Sequence, residues 1–160
     1  LNDYHAYNSA GAPRRDLLAS NEASGATPKW RSTASVLWSR RQWSASVAGY
    51  YTGRYTDTGA TTSAATWESL GYPGYIKPVV TNGTTVYRYY VDDTVTYNAS
   101  VAYRFSSRNR WLNDTRVRLG VNNVLDEKPP LSSDSRGYDT SLYNTMARGR
   151  TYSLQLTKRL

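Results

Sequence analysis

The chain has 160 residues, no cysteine and a formal net charge of +8, and 39% of it is hydrophobic and 13% aromatic. The absence of cysteine excludes a disulfide framework and a thiolate metal site, and the absence of a long apolar run excludes a transmembrane helix. The aromatics are 15 Tyr and 5 Trp beside one Phe and one Met, a poor recipe for an aliphatic core but a suitable one for rings held between apolar and wet surroundings. The basic residues are spread along the chain rather than gathered on one element. They read as solvated loops and turns, not as a nucleic-acid surface.

In chain order, Leu1 to Asn8 alternates weakly and reads as the end of a strand. Residues 9–27, rich in Ser, Ala, Gly and Asn, read as a long loop. Pro28 opens the first clear strand. Trp30, Ser32, Ala34, Val36 and Trp38 share one face, and Arg31, Thr33, Ser35 and Leu37 share the other. The two Trp residues are eight positions apart, which at a tilt near 40° spans roughly 20 Å of membrane height. Ser39 to Gln42 is a short, doubly basic turn. The strand after it alternates Trp43, Ala45, Val47, Gly49, Tyr51 and Tyr55 with Ser44, Ser46, Ala48, Tyr50, Thr52 and Arg54. Thr56 to Tyr90 reads as a long, mixed loop holding one small hairpin, residues 79–87, on the Asn82-Gly83 turn. Thr94 to Phe105 is the third clear strand, with Val95, Tyr97, Ala99, Val101, Tyr103 and Phe105 on the apolar face. Residues 106–115 form a short polar connection. Arg116 to Asn122 sets Val117, Leu119 and Val121 on one face. A connector over 126–147 leads to the last strand, Gly149 to Leu160, whose apolar face carries Tyr152, Leu154, Leu156 and Leu160. Connections thus alternate long and short, as they do in membrane barrels with short periplasmic turns and long outer loops.

No catalytic constellation is present. His5 is the single histidine, which leaves neither a Ser-His-Asp triad nor a multi-histidine metal site. Asp92-Asp93 and Asp126-Glu127 read as solvated carboxylates, and Asn82-Gly83-Thr84 reads as a turn. No cofactor and no enzymatic activity are expected.

One ordered series over about 40 residues carries a resemblance. Gly120-Val121-Asn122-Asn123-Val124-Leu125-Asp126-Glu127-Lys128-Pro129-Pro130 is followed by Gly137-Tyr138-Asp139, by Ser141-Leu142-Tyr143-Asn144 and by Arg148-Gly149-Arg150-Thr151-Tyr152. The series resembles the C-terminal end of TonB-dependent receptors, the plugged β-barrel transporters of the Gram-negative outer membrane. Pro28-Lys29-Trp30-Arg31 and the hairpin after it fit the same family.

The resemblance implies an all-β fold: an antiparallel up-and-down meander of about five or six transmembrane strands, part of an outer-membrane barrel of about 22 strands. Residues 1–160 would be the C-terminal segment of the barrel domain, with its end in the periplasm and the plug domain outside this chain. The chain opens on Leu1 without a signal peptide, in keeping with either a processed product or a piece of something longer. The implied function is TonB-coupled import of a scarce nutrient, such as a siderophore, vitamin, saccharide or peptide. The implied partners are outer-membrane lipid and lipopolysaccharide, the rest of the barrel and its plug, the TonB complex, the barrel-assembly machinery and an unknown ligand. Trp30, Trp38, Trp43, Tyr51, Tyr97 and Tyr103 would form the lipid-facing aromatic girdle. Arg31, Arg54, Arg104 and Arg118 would face the lumen, either as a positive wall that meets an anion or as a hydrated wall paired with nearby carboxylates. Tyr152, Leu154, Leu156 and Leu160 would form the terminal strand read by the assembly machinery, with Leu160 in place of the family's usual aromatic and Lys158 snorkelling to the interface. Two other readings stay open: a soluble β-sandwich that binds carbohydrate, and a small self-contained structural barrel.

Overall fold

The computed structural model describes residues 5–6, 15–16, 20–22, 25–109 and 112–159. It is all-β, with mostly antiparallel strands in two five-stranded sheets and a two-stranded ribbon. The strands in chain order are β1 (His5–Ala6), β2 (Arg15–Asp16), β3 (Ser20–Glu22), β4 (Gly25–Thr27), β5 (Arg31–Arg40), β6 (Trp43–Thr52), β7 (Tyr55–Thr62), β8 (Ile76–Thr81), β9 (Thr84–Val91), β10 (Thr94–Arg104), β11 (Thr115–Asn122) and β12 (Thr151–Lys158). A short helix α1 (Ala64–Ser69) lies between β7 and β8, and α2 (Thr140–Tyr143) lies between β11 and β12.

The chain forms two compact units, each drawn from three separated segments. The meander unit takes Ser32–Tyr51, Val95–Lys128 and Met146–Leu160. The loop unit takes Leu1–Arg31, Thr52–Thr94 and Pro129–Thr145. The sequence shows no boundary because no linker separates the units; the chain passes back and forth between them.

The meander unit is a sheet in the order β12-β11-β10-β6-β5. β5 and β6 join through a two-residue turn at Arg41-Gln42. β10 runs back beside β6, and its last residue, Arg104, donates to the Gln42 carbonyl at 2.9 Å. Register fixes the faces. Across β10, β11 and β12 the apolar rows are Ala99–Val121–Tyr152, Val101–Leu119–Leu154 and Tyr103–Val117–Leu156. The polar rows are Ser100–Gly120–Ser153, Ala102–Arg118–Gln155 and Arg104–Arg116–Thr157. The alternation expected of these strands is therefore present in the pairing. Strand ends differ by a few residues: the first clear strand begins at Arg31 rather than Pro28, the second ends at Thr52 and leaves Tyr55 to open β7, and the last runs over Thr151–Lys158. Leu160 lies outside the described residues.

The motif that carries the family resemblance closes one end of this sheet. Asn123 is buried. Its amide N–H donates to Asn98 Oδ1, its Nδ2 donates to the Glu127 carbonyl, and its Oδ1 accepts from the Glu127 N–H, each at 2.9 Å. Asp126 Oδ1 then accepts the Arg150 N–H at 2.9 Å at the start of β12. A Cβ on Gly149 would lie 2.9 Å from that same oxygen, and Gly149 has φ 70°. Glycine there meets both a steric and a conformational demand. Two pieces of the series more than 20 residues apart are thus one interlocked junction.

The loop unit corrects the expectation of an irregular stretch over 56–90. That stretch holds β7, α1, β8 and β9, which join β3 and β4 in the order β4-β3-β7-β9-β8. The expected hairpin is present on Asn82 and Gly83, both with positive φ (51° and 76°), and its strands reach back to Ile76 and on to Val91. The β3–β7 pairing is parallel, an exception to the antiparallel rule. The sequence hid this sheet because β7 shifts register between Asp57 and Thr62, which breaks the alternation. Its core is Tyr55, Ile76, Val91 and Tyr143. The 129–145 segment is tied down by buried polar bonds. Asp57 Oδ2 accepts the Ser133 N–H and the Ser133 hydroxyl, both at 2.7 Å. The Tyr55 hydroxyl donates to Asp139 Oδ2 at 3.0 Å, while Asp139 Oδ1 caps α2 through Ser141. Burial, then the Asp139 carboxylate, holds the Tyr55 phenol far above its usual pKa range, so it remains a neutral donor.

Candidate functional site

The meander sheet presents two unlike faces, and both are open. Its buried side chains among the described residues are few: Ala102, Thr115, Asn123 and Met146. Among the described residues no second layer covers the apolar face. Val36 is 71% exposed, Tyr152 73%, Leu154 72% and Leu156 69%. Trp38 and Trp43 are also exposed at about half of their surface. At roughly 200 Å² per ring, Trp38, Trp43 and Tyr152 together leave about 350 Å² of aromatic surface uncovered. The exposed Val and Leu side chains take the face beyond about 300–600 Å², the largest apolar patch of a typical soluble monomer.

Aromatics mark the two ends of this face. At the short-turn end, Trp43 packs on Tyr103 (4.7 Å between centroids), and Tyr103 meets Phe105 edge-on (4.9 Å). Toward the other end are Tyr51, Tyr97 and Tyr152. The Tyr97 ring lies over Gly49, where an added Cβ would meet it at 3.2 Å. Between the two ends the face carries Val36, Ala45, Val47, Val101, Leu119 and Leu154. Lys158, last on the apolar side of β12, turns its ammonium to the Asn113 carbonyl at the turn. Trp30 belongs to the loop unit; it precedes β5, is exposed, and its carbonyl accepts the Gly53 N–H at 2.8 Å.

The opposite face is small and polar. Ser46 and Ser100 share a hydrogen bond at 2.8 Å, and Arg118 donates to Ser100 Oγ at 3.0 Å. A Cβ on Gly120 would fall 2.6 Å from Ser153 Oγ. Leu37 is exposed on this side and is one of few apolar residues lining an open hollow of about 490 Å³. Nearer the short turns is a second hollow of about 370 Å³ lined by Arg side chains.

The four arginines expected to face the lumen belong to different units. Arg104 and Arg118 meet in the second hollow. Arg31 and Arg54 belong to the loop unit. Arg54 pairs with Asp93 at 3.6 Å and donates to the Tyr90 hydroxyl at 3.5 Å. Arg116, Arg41 and Arg159 also line the hollow. The legible signal for Arg116 was its spacing of two from Arg118 on one strand face.

No cluster of His, Asp or Glu suited to a metal ion occurs among the described residues, and no helix among them is long and apolar enough to cross a membrane, which says nothing of strands. Comparison of the chain with protein-family models, with curated proteins and with solved structures finds no match in any of the three.

Proposed function

We propose that the meander unit is a stretch of outer-membrane β-barrel wall, and that the chain is part of a TonB-dependent receptor that imports a scarce nutrient. The single observation that carries this reading is the uncovered apolar face of β5, β6, β10, β11 and β12, banded by aromatics at both ends and backed by a polar, arginine-bearing face. In water, such a face would demand a second layer. In lipid it is the outer surface of a barrel, and the polar face becomes the lumen. Strand geometry agrees: eight residues separate Trp43 from Tyr51, roughly 20 Å of height at a 40° tilt. The interlocking of Asn123, Asp126, Gly149 and Arg150 supports the family reading, because it gives separate parts of the resemblance one shared structural task. The rings lie in two bands rather than in one cleft, which disfavours the soluble carbohydrate-binding reading.

On this proposal, β5 and β12 pair with further strands, since open sheet edges in lipid leave backbone groups unsatisfied at several kcal/mol each. The loop unit, built from the long connections, contributes to ligand capture. The role is transport, not catalysis. The plug, the TonB complex and the assembly machinery are partners of the complete receptor.

The test is fractionation of the native protein, followed with an antibody to the 126–147 segment. The expected result is recovery in outer membranes, release only by detergent, and a polypeptide several times heavier than 18.0 kDa. Recovery in the soluble fraction without detergent overturns the proposal.

A further inference from the structure

The hollow at the short-turn end of the polar face gathers five arginines, Arg41, Arg104, Arg116, Arg118 and Arg159, around one carboxylate, Asp114. Asp114 Oδ1 is engaged by Arg104, through Nη2 at 2.8 Å and Nε at 3.1 Å. The other four arginines have no carboxylate partner among the described residues. The sheet pairing makes this arrangement costly. Arg104 stands directly opposite Arg116, and like charges directly opposite destabilise a strand pair. Arg118 lies two residues on, on the same face. Arg41 occupies a left-handed backbone position (φ 54°) in its turn, where glycine or asparagine is the usual occupant. A fold that breaks local rules at one spot is commonly serving a site there.

The guanidinium groups are also oriented. Arg116 Nη2 donates to Ser44 Oγ at 3.2 Å and Arg118 Nη2 to Ser100 Oγ at 3.0 Å, while Ser100 is itself bonded to Ser46. Each serine engages one of the five N–H donors of its arginine. The remaining edge of each fork stays available for a two-point contact with an oxyanion.

The geometry points to a binding site for a small polyanion, one carrying several phosphoryl or carboxylate groups, between β6, β10, β11 and the end of β12. The hollow, at about 370 Å³, is within the range of small-molecule sites. Among the described residues its cations exceed its carboxylates by four, which calls for more than one negative charge. The site stands on the polar face alone. It does not depend on whether the apolar face meets lipid or on the transporter reading.

Calorimetric titration of the native protein in mild detergent tests it, with pyrophosphate and citrate as separate probes. Saturable binding of either supports the site, and the stronger of the two identifies the preferred oxyanion. Binding should weaken about tenfold or more in Arg116→Gln and Arg118→Gln, given the strength of charged hydrogen bonds. Arg159→Gln should weaken it as well. Arg159 lies beyond the end of β12, so this variant keeps the strand ladder intact should the other two fail to fold. Arg54→Gln, in the loop unit, should leave binding unchanged. Sodium chloride above about 0.15 M should weaken it, because an open cationic site is screened. No saturable binding of either probe overturns the inference. So does binding that survives Arg159→Gln and Arg116→Gln, or that falls equally in Arg54→Gln. Capture of an acidic peptide with neither small probe bound also overturns it.

Discussion

Replacing Leu154 with arginine tests which medium the apolar face meets. Leu154 lies in the middle row of that face, opposite Leu119, which in turn is opposite Val101. It is 72% exposed and makes little of any core. If that surface met water, the substitution would change stability by no more than about 0.5 kcal/mol, as at other open surface positions. If it meets the middle of a bilayer, the arginine should cost about 2–4 kcal/mol, a factor of roughly 30 to 900 in the folding equilibrium. The comparison variant is Ser35→Arg, on the polar face of β5, where a change within about 0.5 kcal/mol is expected. The assay is reversible denaturant unfolding of the native protein in phospholipid vesicles, with all variants under one set of conditions. A loss of about 2 kcal/mol or more for Leu154→Arg, absent for Ser35→Arg, is the expected result. Equal stabilities for the two variants, or cooperative folding of the protein without detergent or lipid, would refute the reasoning.

Other consequences follow from the junction and from the loop unit. Gly149→Ala should destabilise the protein by about 1–3 kcal/mol, since a left-handed backbone with a Cβ and a close approach to Asp126 are both unfavourable; a denaturation midpoint unchanged from that of the parent would contradict this. Asn123→Ala removes two side-chain bonds to Glu127 at a buried position, with an expected loss of about 2–3 kcal/mol, again read by denaturation. Tyr55→Phe leaves Asp139 without its buried phenol donor and should cost about 1–3 kcal/mol; faster amide exchange at residues 133–141, with β10–β12 unaffected, is the expected pattern. The Arg150 N–H, then Lys128, holds the Asp126 carboxyl below its ordinary pKa. A depressed carboxyl contributes stability above its unfolded value and loses it as pH falls through the folded one. The Arg150 amide resonance should therefore shift as pH drops below about 4, and Asp126→Asn should abolish that shift.

Strand alternation depends on neighbours two residues apart, so the sequence by itself determined the faces of β5, β6, β10, β11 and β12. The same local logic placed the Asn82-Gly83 hairpin and the aromatic ends of the apolar face. Register and partner choice lie between residues far apart in the chain, and only the tertiary structure decided them. It set Arg104 opposite Arg116, brought Arg41 and Arg159 to the same hollow, and gave Arg54 to Asp93 in the other unit. It also paired β6 with β10 across the whole 53–93 excursion, turning an apparent loop into a second sheet with its own core around Tyr55 and Val91. Gly149 shows the division most plainly. Its type was visible in the chain, but its reason, an aspartate oxygen arriving from more than 20 residues away, exists only once the strands have paired.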